Sequence, residues 1–181
     1  MKAYLAGTSV CSPDENKIMQ ELFQQGNKLH SFFHCREGGF EYGWFNMNKK
    51  NKVNLFLDSG AFSAWTQGVE VDIQEYIQFI KEHEDILEVY ANLDVIGLGG
   101  KLPNKLTAEM TLKNQKIMEE AGLNPLPCFH FGEPFEYLKY YVDNYDYMAF
   151  GVAGVKGSSL VPWLDTCFSD YVCDEKGYPK I

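Results

Sequence analysis

The sequence predicts an α/β protein built on a parallel sheet, and three observations indicate that class. Six short runs rich in strand-forming residues lie about 20 to 40 residues apart in a chain of 181 residues. Helical patterns separate most of these runs, and the spacing suits βαβ units with right-handed crossovers. The third run, V-N-L-F-L-D at 53–58, is continuous and is followed by the turn Ser59-Gly60-Ala61, which is typical of a strand buried on both faces.

Turn and capping residues set the limits of the remaining elements. A capping box at 72–75 predicts a helix that begins at Asp72, and Pro134 begins another, because the first helical turn does not need its missing amide. A long polar, glycine-rich and aromatic loop is expected at 36–51. The predicted strands are 3–10, 31–35, 53–58, 87–95, 126–131 and 147–150; the other predicted helices are 12–25, 107–121 and 159–173.

Six βα units leave an eight-stranded barrel open, since a complete barrel takes about 250 residues. Residues 177–181 look like a turn that enters a seventh strand. Three explanations fit: a fragment, a sheet completed by a partner chain or by a second copy, and an open doubly wound sheet. We expect a single domain over 1–181 that forms a TIM-type (β/α) barrel of about six units, the N-terminal part of a longer barrel whose last units are missing.

Composition and charge restrict the classes of function. A formal net charge of −9 argues against a broad nucleic-acid surface, although Lys49, Lys50 and Lys52 form a small basic patch. No window reaches the roughly 18 apolar residues of a membrane span, and the N-terminus lacks the apolar core of a signal peptide. Five cysteines without a CxxC pair indicate reduced thiols. We therefore expect a cytoplasmic protein that does not bind membranes.

Polar residues gather where the predicted strands end. The carboxyl ends of parallel strands meet at one edge of a sheet, where ligands of α/β proteins bind. Paired carboxylates in a partly apolar pocket have their pKa values driven apart, so that one can act as an acid or base. The residues at these ends are Asp58, Ser59 and Gly60 after the third strand, Asn92 and Asp94 at the fourth, His130 and Glu133 at the fifth, and 151–154 after the sixth.

Each of these residues also has a structural explanation. An aspartate at a strand end is a common turn or capping residue. A histidine in an apolar strand, such as His130 or His34, is more often a core side chain than a catalyst. Glu133 complements a helix N-terminus, and Phe62 fits the core as well as a stacking position on a flat ligand. The joint arrangement, more than any one residue, favours a site.

The motif L-D-S-G-A-F at 57–62 resembles the D-S-G-G-[FY] motif of the tRNA-guanine transglycosylases. N-L-D at 92–94 occupies the place of the second aspartate of that family, and A-F-G-V-A-G at 149–154 resembles its base-binding loop. P-C-F-H-F-G-E-P and Y-D-Y-M-A-F-G are similar to the short viral and bacterial relatives of the queuine tRNA-ribosyltransferases, including those that insert 7-deazaguanines into DNA. The resemblance covers most of the chain in outline, and the D-S-G motif is its most specific part.

The resemblance implies a pentosyltransferase that replaces guanine in tRNA or DNA with a 7-deazaguanine through a covalent glycosyl-enzyme intermediate. Asp58 would be the catalytic acid and base, and Asp94 would accept hydrogen bonds from the N–H edge of the base. Phe62 would stack on the ring, and the amides of Val152 and Ala153 would hold the base carbonyl. The implied substrate-binding residues are Asp94, Ser59, Gly60, Phe62, His130, Gly151, Val152 and Ala153.

Two features depart from the family pattern. Gly151-Val152 stands where the family has a glycine pair, which keeps the amides and narrows the pocket. The nucleophilic aspartate and the zinc ligands of the family belong to later barrel units, so neither a nucleophile nor a cofactor is expected here. Two other functions stay open: an incomplete protein that binds a nucleobase or nucleic acid without exchange, and a different barrel hydrolase that uses Asp58 and Asp94 on a sugar.

Overall fold

The computed structural model describes residues 2–6, 26–36, 38–39, 41–96, 104–152 and 155–181. This part of the chain is a mixed α/β protein with parallel strands and seven α-helices. The strands are β1 Lys28–Ser31, β2 Leu55–Asp58, β3 Leu87–Tyr90, β4 Cys128–His130 and β5 Ala149–Gly151. The helices are α1 Phe32–Cys35, α2 Tyr42–Lys50, α3 Ala61–Thr66, α4 Ile73–Glu82, α5 Asn104–Glu120, α6 Phe135–Asn144 and α7 Gly157–Thr166, which continues as a π-helix over Cys167–Val172.

The strands are neighbours in the order in which they occur in the chain. β1, β2 and β3 form one parallel sheet, and β4 and β5 form a second parallel pair. A parallel bridge between Ala91 and Leu126 connects β3 with the segment that leads into β4, and another between Leu5 and Lys28 adds the N-terminal segment beside β1. The described strands are not closed into a barrel.

Tyr4 indicates that the sheet curves. Its hydroxyl donates to Glu88 in β3 at 2.7 Å, and its ring contacts Phe56 of β2 edge-on at 5.6 Å. In a flat sheet with a spacing of about 4.8 Å, the segment of Tyr4 would lie about 14 Å from β3, because β1 and β2 lie between them. The contact therefore favours a sheet that is concave on the face that carries Phe56.

The other face of β2 packs against helices. Leu55 and Leu57 are fully buried, in the same cluster as Tyr76 and Ile80 of α4. Helix α4 begins as predicted, since the side chain of Asp72 accepts from the amides at 74 and 75 at 2.7 and 3.1 Å. A second cluster around Phe129 lies between β4, α6 and the π-helix. No helix in the described ranges is long and apolar enough to cross a membrane.

Three sequence-based element predictions were wrong. The predicted strand at 31–35 ends at Ser31, and Phe32–Cys35 is a helical turn whose Phe32 packs on Tyr76 with ring centroids 5.0 Å apart. The predicted loop at 36–51 contains α2, which buries Phe45. Residues 177–181 fold back beside the end of the π-helix, where Cys173 and Pro179 form an antiparallel bridge. They do not enter a parallel strand. The predicted helix at 12–25 lies outside the described residues.

Candidate functional site

Asp58 is the last residue of β2, and the chain turns away from it at once. Ser59 is buried, with its Oγ atom 3.3 Å from the amide of Ala61, and the amide of Gly60 donates to Asp58 Oδ2 at 2.9 Å. Gly60 has φ +74°, and a Cβ atom there would lie 2.4 Å from Ser31 Oγ. Glycine is therefore required at this turn for both its backbone conformation and its close contact.

His130 lies between two carboxylates. It ends β4, and its Nε2 atom is 3.2 Å from Asp94 Oδ2, while its Nδ1 atom is 3.2 Å from Glu133 Oε1. Glu133 also accepts from the backbone amide of His130 at 2.9 Å, so it holds both the ring and the strand end. Because both ring nitrogens face carboxylate oxygens, both donate, as in a charged imidazolium.

The charges of Asp94, Glu133 and His130 affect the pKa values of His130 and Asp58. Burial lowers the pKa of His130, but Asp94 and Glu133 outweigh burial through their charges and hydrogen bonds and raise it to about 10. Burial raises the pKa of Asp58 to about 6; the negative charge of Asp94 adds to the rise, while the Gly60 amide and His130 oppose it. The carboxyl of Asp58 is thus close enough to Asp94 and His130 to be affected by both.

Gly151 permits this arrangement. It pairs with His130 across β4 and β5, and its carbonyl accepts from the amide of Phe131 at 3.0 Å. A Cβ atom at Gly151 would lie 2.1 Å from His130 Cδ2 and 2.6 Å from its Nε2 atom. Any other residue would push the imidazole away from Asp94. Gly151 is therefore needed for the histidine ring to occupy its place.

A cavity of about 540 Å³ lies beside Asp94. This volume is within the range of small-molecule sites. We call it the Asp94 cavity; Asp94 lines it together with residues of α3, α4 and α5, among them Trp65, Ile73, Met110 and Asn114. The Oδ1 atom of Asp94 is buried and has no hydrogen-bond partner among the described residues. A buried carboxylate oxygen without a donor is costly, so a ligand that supplies an N–H group would stabilise it.

Helix α5 fixes the segment that carries Asp94. The hydroxyl of Thr111 accepts from the amide of Val95 at 2.9 Å, and the side-chain amide of Asn114 donates to the carbonyl of Leu93 at 2.9 Å. Asn92 points toward the same helix and donates to the carbonyl of Thr111 at 2.9 Å. Asn92 therefore supports the position of Asp94 from the helix side of the segment.

The structure brings some predicted site residues together and leaves others apart. Asp58, Asp94 and His130 form one electrostatic group, with Gly151 against the histidine. Of the predicted residues, only Asp94 lines the Asp94 cavity. Phe62 is 53% exposed, and its ring packs against Trp65 with centroids 5.5 Å apart. Val152 follows β5 and is half-buried, whereas Ala153 lies outside the described residues.

Sequence reasoning missed several residues of this region. Ser31 ends β1 directly opposite Asp58, and its buried hydroxyl has no hydrogen-bond partner in the described part of the chain. Trp65, Met110 and Asn114 form cavity walls, and Thr111 anchors the Asp94 segment. Only the register of the strands and the packing of α3 and α5 identify them. No local motif marks these positions.

The described ranges contain neither a candidate metal site nor a disulfide. No group of three or more histidine, cysteine or acidic side chains there has a geometry that could hold a metal ion. Cys35, Cys128, Cys167 and Cys173 are free thiols, and burial raises the pKa of Cys35, Cys128 and Cys167. These buried thiols are therefore poor nucleophiles.

Comparison of the chain with protein-family models, with curated proteins and with solved structures found no match. The fold and the side chains at the carboxyl-end rim of its parallel strands define the class: an α/β protein with an acid–histidine–acid group on that rim.

Proposed function

We propose that this chain carries the base-binding and proton-transfer part of a nucleobase-exchange site, which replaces guanine in a nucleic acid with a 7-deazaguanine. One observation carries the proposal: two neighbouring carboxyls on one rim differ in electrostatic environment. Asp94 is held by the imidazolium of His130, whereas the pKa of Asp58 is raised to about 6. Carboxyl pairs of this kind divide the roles of hydrogen-bond acceptor and of acid or base.

Asp58 supplies the proton transfer. A group with a pKa of about 6 exchanges protons near neutral pH, which is the range in which general acid–base catalysis is efficient. In the exchange, the bond between C1′ of the sugar and the ring nitrogen of guanine breaks with its electron pair going to the nitrogen, Asp58 donates a proton to the departing base, and C1′ is left as an oxocarbenium cation. The incoming base forms the new bond to C1′ and returns its proton to Asp58. The two steps balance without a change of oxidation state.

Asp94 recognises the base. It lines a cavity of about 540 Å³ and has an unpartnered buried oxygen, Oδ1. Guanine and 7-deazaguanine both carry an amino group and a ring N–H on one edge, and these donors match a carboxylate acceptor. A base without the donors would leave the carboxylate unsatisfied, which is how such sites discriminate strongly. His130 and Glu133 act on Asp94 as positioning residues.

We further propose that the strands belong to a TIM-type (β/α) barrel. Support comes from the chain-order pairing of parallel strands and from the contact of Tyr4 with Glu88, which favours a curved sheet. A doubly wound sheet instead reverses its strand order at a switch point. The described neighbours have no such reversal. In a barrel, the ends of all strands converge on one central site.

A second candidate function is base binding without exchange. It is favoured because each carboxylate on the described part of the rim already has a partner. Asp94 and Glu133 both contact His130, and Asp58 accepts from the amide of Gly60. None of these three is therefore assigned as the nucleophile that a covalent intermediate needs. A protein with this arrangement would sequester the base and leave its sugar bond intact.

Transfer of labelled guanine into tRNA and into guanine-containing single-stranded DNA tests the proposal. Asp58→Asn should lower the rate of exchange by about 10²–10⁴-fold, because the amide cannot transfer a proton. Asp85→Asn is the matched control: Asp85 is exposed just before β3, at the opposite end of the strands, and should exchange at the wild-type rate. Equal rates for Asp58→Asn and the wild type would remove Asp58 from the chemistry.

Calorimetry separates the two candidates. If the wild type binds guanine and Asp94→Asn weakens that binding about tenfold or more, while no polymer is exchanged, the second candidate is correct. Failure of the wild type to bind any purine would reject both candidates.

A further inference from the structure

A second cavity lies at the same end of the strands as Asp58, on the side of β1. We call it the Arg36 cavity, and its volume is about 720 Å³. Its walls come from α1 and the turn after it, from the end of α3 and from the first turn of α4. They include Phe33, Arg36, Gln67 and Glu75.

Arg36 is the only arginine in the sequence. Its guanidinium lies over the ring of Phe33, 4.6 Å from the ring centroid, and Phe33 itself is buried. Among the described residues, no carboxylate forms an ion pair with Arg36. Stacking on an aromatic ring orients the planar guanidinium and leaves its N–H groups available at the edge. Such a group is suited to a phosphate, which it can bind through two parallel hydrogen bonds.

The Arg36 cavity and Asp58 are connected through adjacent strand ends. Ser31, the last residue of β1, pairs with Asp58 in β2, and α1 follows Ser31 directly. Gly60 packs against this junction, since a Cβ atom there would lie 2.5 Å from Phe33 Cβ. A ligand that reaches Asp58 from solvent can therefore extend over the end of β1 toward Arg36.

Another basic group lies at the opposite end of the strands. Lys49, Lys50 and Lys52 line a cavity with Val53 and Ile86, at the amino ends of β2 and β3. One nucleotide cannot contact both this patch and the carboxyl ends of the same strands. With a net charge of −9, the chain repels a polyanion in general, so a cation beside Asp58 is needed to hold one there.

We propose that the Arg36 cavity binds a phosphodiester of a single-stranded nucleic acid, next to the nucleotide whose base is presented to Asp58 and Asp94. The inference rests on the proposed function and adds to it a binding site for the polymer. Arg36 donates to the phosphate oxygens, and its guanidinium stays over the ring of Phe33. Glu75 on the opposite wall repels the phosphate and limits the affinity.

Fluorescence anisotropy with guanine-containing RNA and DNA oligonucleotides, over a series of salt concentrations, tests the site. Arg36→Ala should weaken binding about tenfold and reduce the slope of log K against log salt by about one, as expected for the loss of one phosphate contact. Arg36→Lys should keep the slope and lose less affinity. Glu75→Gln, on an exposed side chain of the same cavity, should tighten binding.

Lys50→Ala is the matched control, because it removes the same charge from the opposite end of the strands and should change the affinity less than twofold. Circular dichroism establishes that each variant is folded. Equal effects of Arg36→Ala and Lys50→Ala, or an unchanged slope in Arg36→Ala, would overturn the assignment.

Small ligands distinguish failure of this site from failure of the proposed function. Guanine binding by calorimetry should be the same in Arg36→Ala and the wild type, whereas 5′-GMP should bind the variant more weakly. A loss confined to 5′-GMP and inorganic phosphate, with oligonucleotide binding unaffected, would assign the cavity to a free phosphate and overturn the polymer site. A wild type that binds oligonucleotides through Arg36 but no guanine would refute the base site and leave the phosphate site.

Discussion

Two histidines of this protein lie in acidic surroundings, and their partners give them different forms. His30 in β1 is 2% exposed; its Nδ1 atom is 3.0 Å from Glu41 Oε2, and the side-chain amide of Asn48 donates to its Nε2 atom at 2.8 Å. A ring that donates at one nitrogen and accepts at the other is a neutral imidazole. His130 faces carboxylates at both nitrogens and is an imidazolium.

The surroundings of the two rings also differ. His30 packs edge-on against Phe45, with ring centroids 5.9 Å apart, on the side of β1 that α2 covers. The His130 side chain is 23% exposed and stands beside Asp58, whose pKa is raised, and beside Asp94, which lines a cavity. A buried histidine–carboxylate contact therefore does not by itself mark a site. The second carboxylate, the cavity and the perturbed neighbouring acid are what distinguish His130.

The largest expected effect comes from removing each ring in turn. His30→Ala should lower the free energy of unfolding by about 3 kcal/mol, because it leaves a void and removes one hydrogen-bond partner of the buried Glu41 carboxylate. His130→Ala should also destabilise the protein, because it leaves Asp94 and Glu133 without their cation, and it should abolish most of the guanine affinity. Urea unfolding and calorimetry measure the two quantities. A loss of guanine binding in folded His30→Ala as large as that in His130→Ala would erase the distinction between the two histidines.

The charge of His130 predicts how stability changes with pH. Its pKa of about 10 in the folded protein exceeds its ordinary value of 6.5, so its contribution is fully present below about pH 6.5 and is lost as the pH rises toward 10. Between pH 6.5 and about 8.5 the free energy of unfolding should fall by about 2 kcal/mol. The raised pKa of Asp58 does not mask this change. Ionisation of Asp58 lowers the free energy of unfolding between pH 3.8 and about 6, and this loss is constant at higher pH.

His130→Gln is the control for this pH dependence. The glutamine does not titrate, so the difference in unfolding free energy between wild type and variant should narrow as the pH rises. A difference that stays constant over this range would mean that His130 is not held as a cation.

Two glycines provide a smaller, steric test of the His130 group. Gly151→Ala would place a methyl group 2.1 Å from His130 Cδ2 and should cost about 1–3 kcal/mol of stability, with a parallel loss of guanine affinity. Gly157→Ala is the matched control: it begins α7, and an added Cβ atom has no neighbour within 4 Å. Alanine is the better helix former, so this variant should be neutral or slightly more stable. Similar costs for both would show that Gly151 does not position the ring.

Local signals were enough to predict where β2 ends and where α4 begins. The apolar run before Asp58, the glycine turn after it and the capping box at Asp72 are all contained in a few consecutive residues, and the structure places a strand end and a helix start there. Helix α2 was missed because its polar sequence buries little beyond Phe45, so it lacks an apolar stripe.

Contacts between distant segments could not be predicted from the sequence. The pairing of Asp94 with His130 depends on the bridge between Ala91 and Leu126, which sets the register of two segments about 35 residues apart. The walls of the Asp94 cavity likewise come from α3 and α5, whose packing no short motif encodes. The sequence therefore indicated the acids on the rim, but not that a histidine cation holds one of them.

The smallest expected effect concerns Phe62, which the motif resemblance assigned to stacking on the base. Its ring is more than half exposed and is not among the side chains that line the Asp94 cavity, whereas Trp65, one turn later in α3, lines it. Phe62→Ala should therefore change the guanine affinity less than twofold, and Trp65→Ala should weaken it about fivefold or more, as loss of an aromatic contact with a base does. Calorimetry with guanine measures both. A larger loss in Phe62→Ala than in Trp65→Ala would place the base on the outer face of α3, over Phe62, and would separate base binding from the cavity that Asp94 lines.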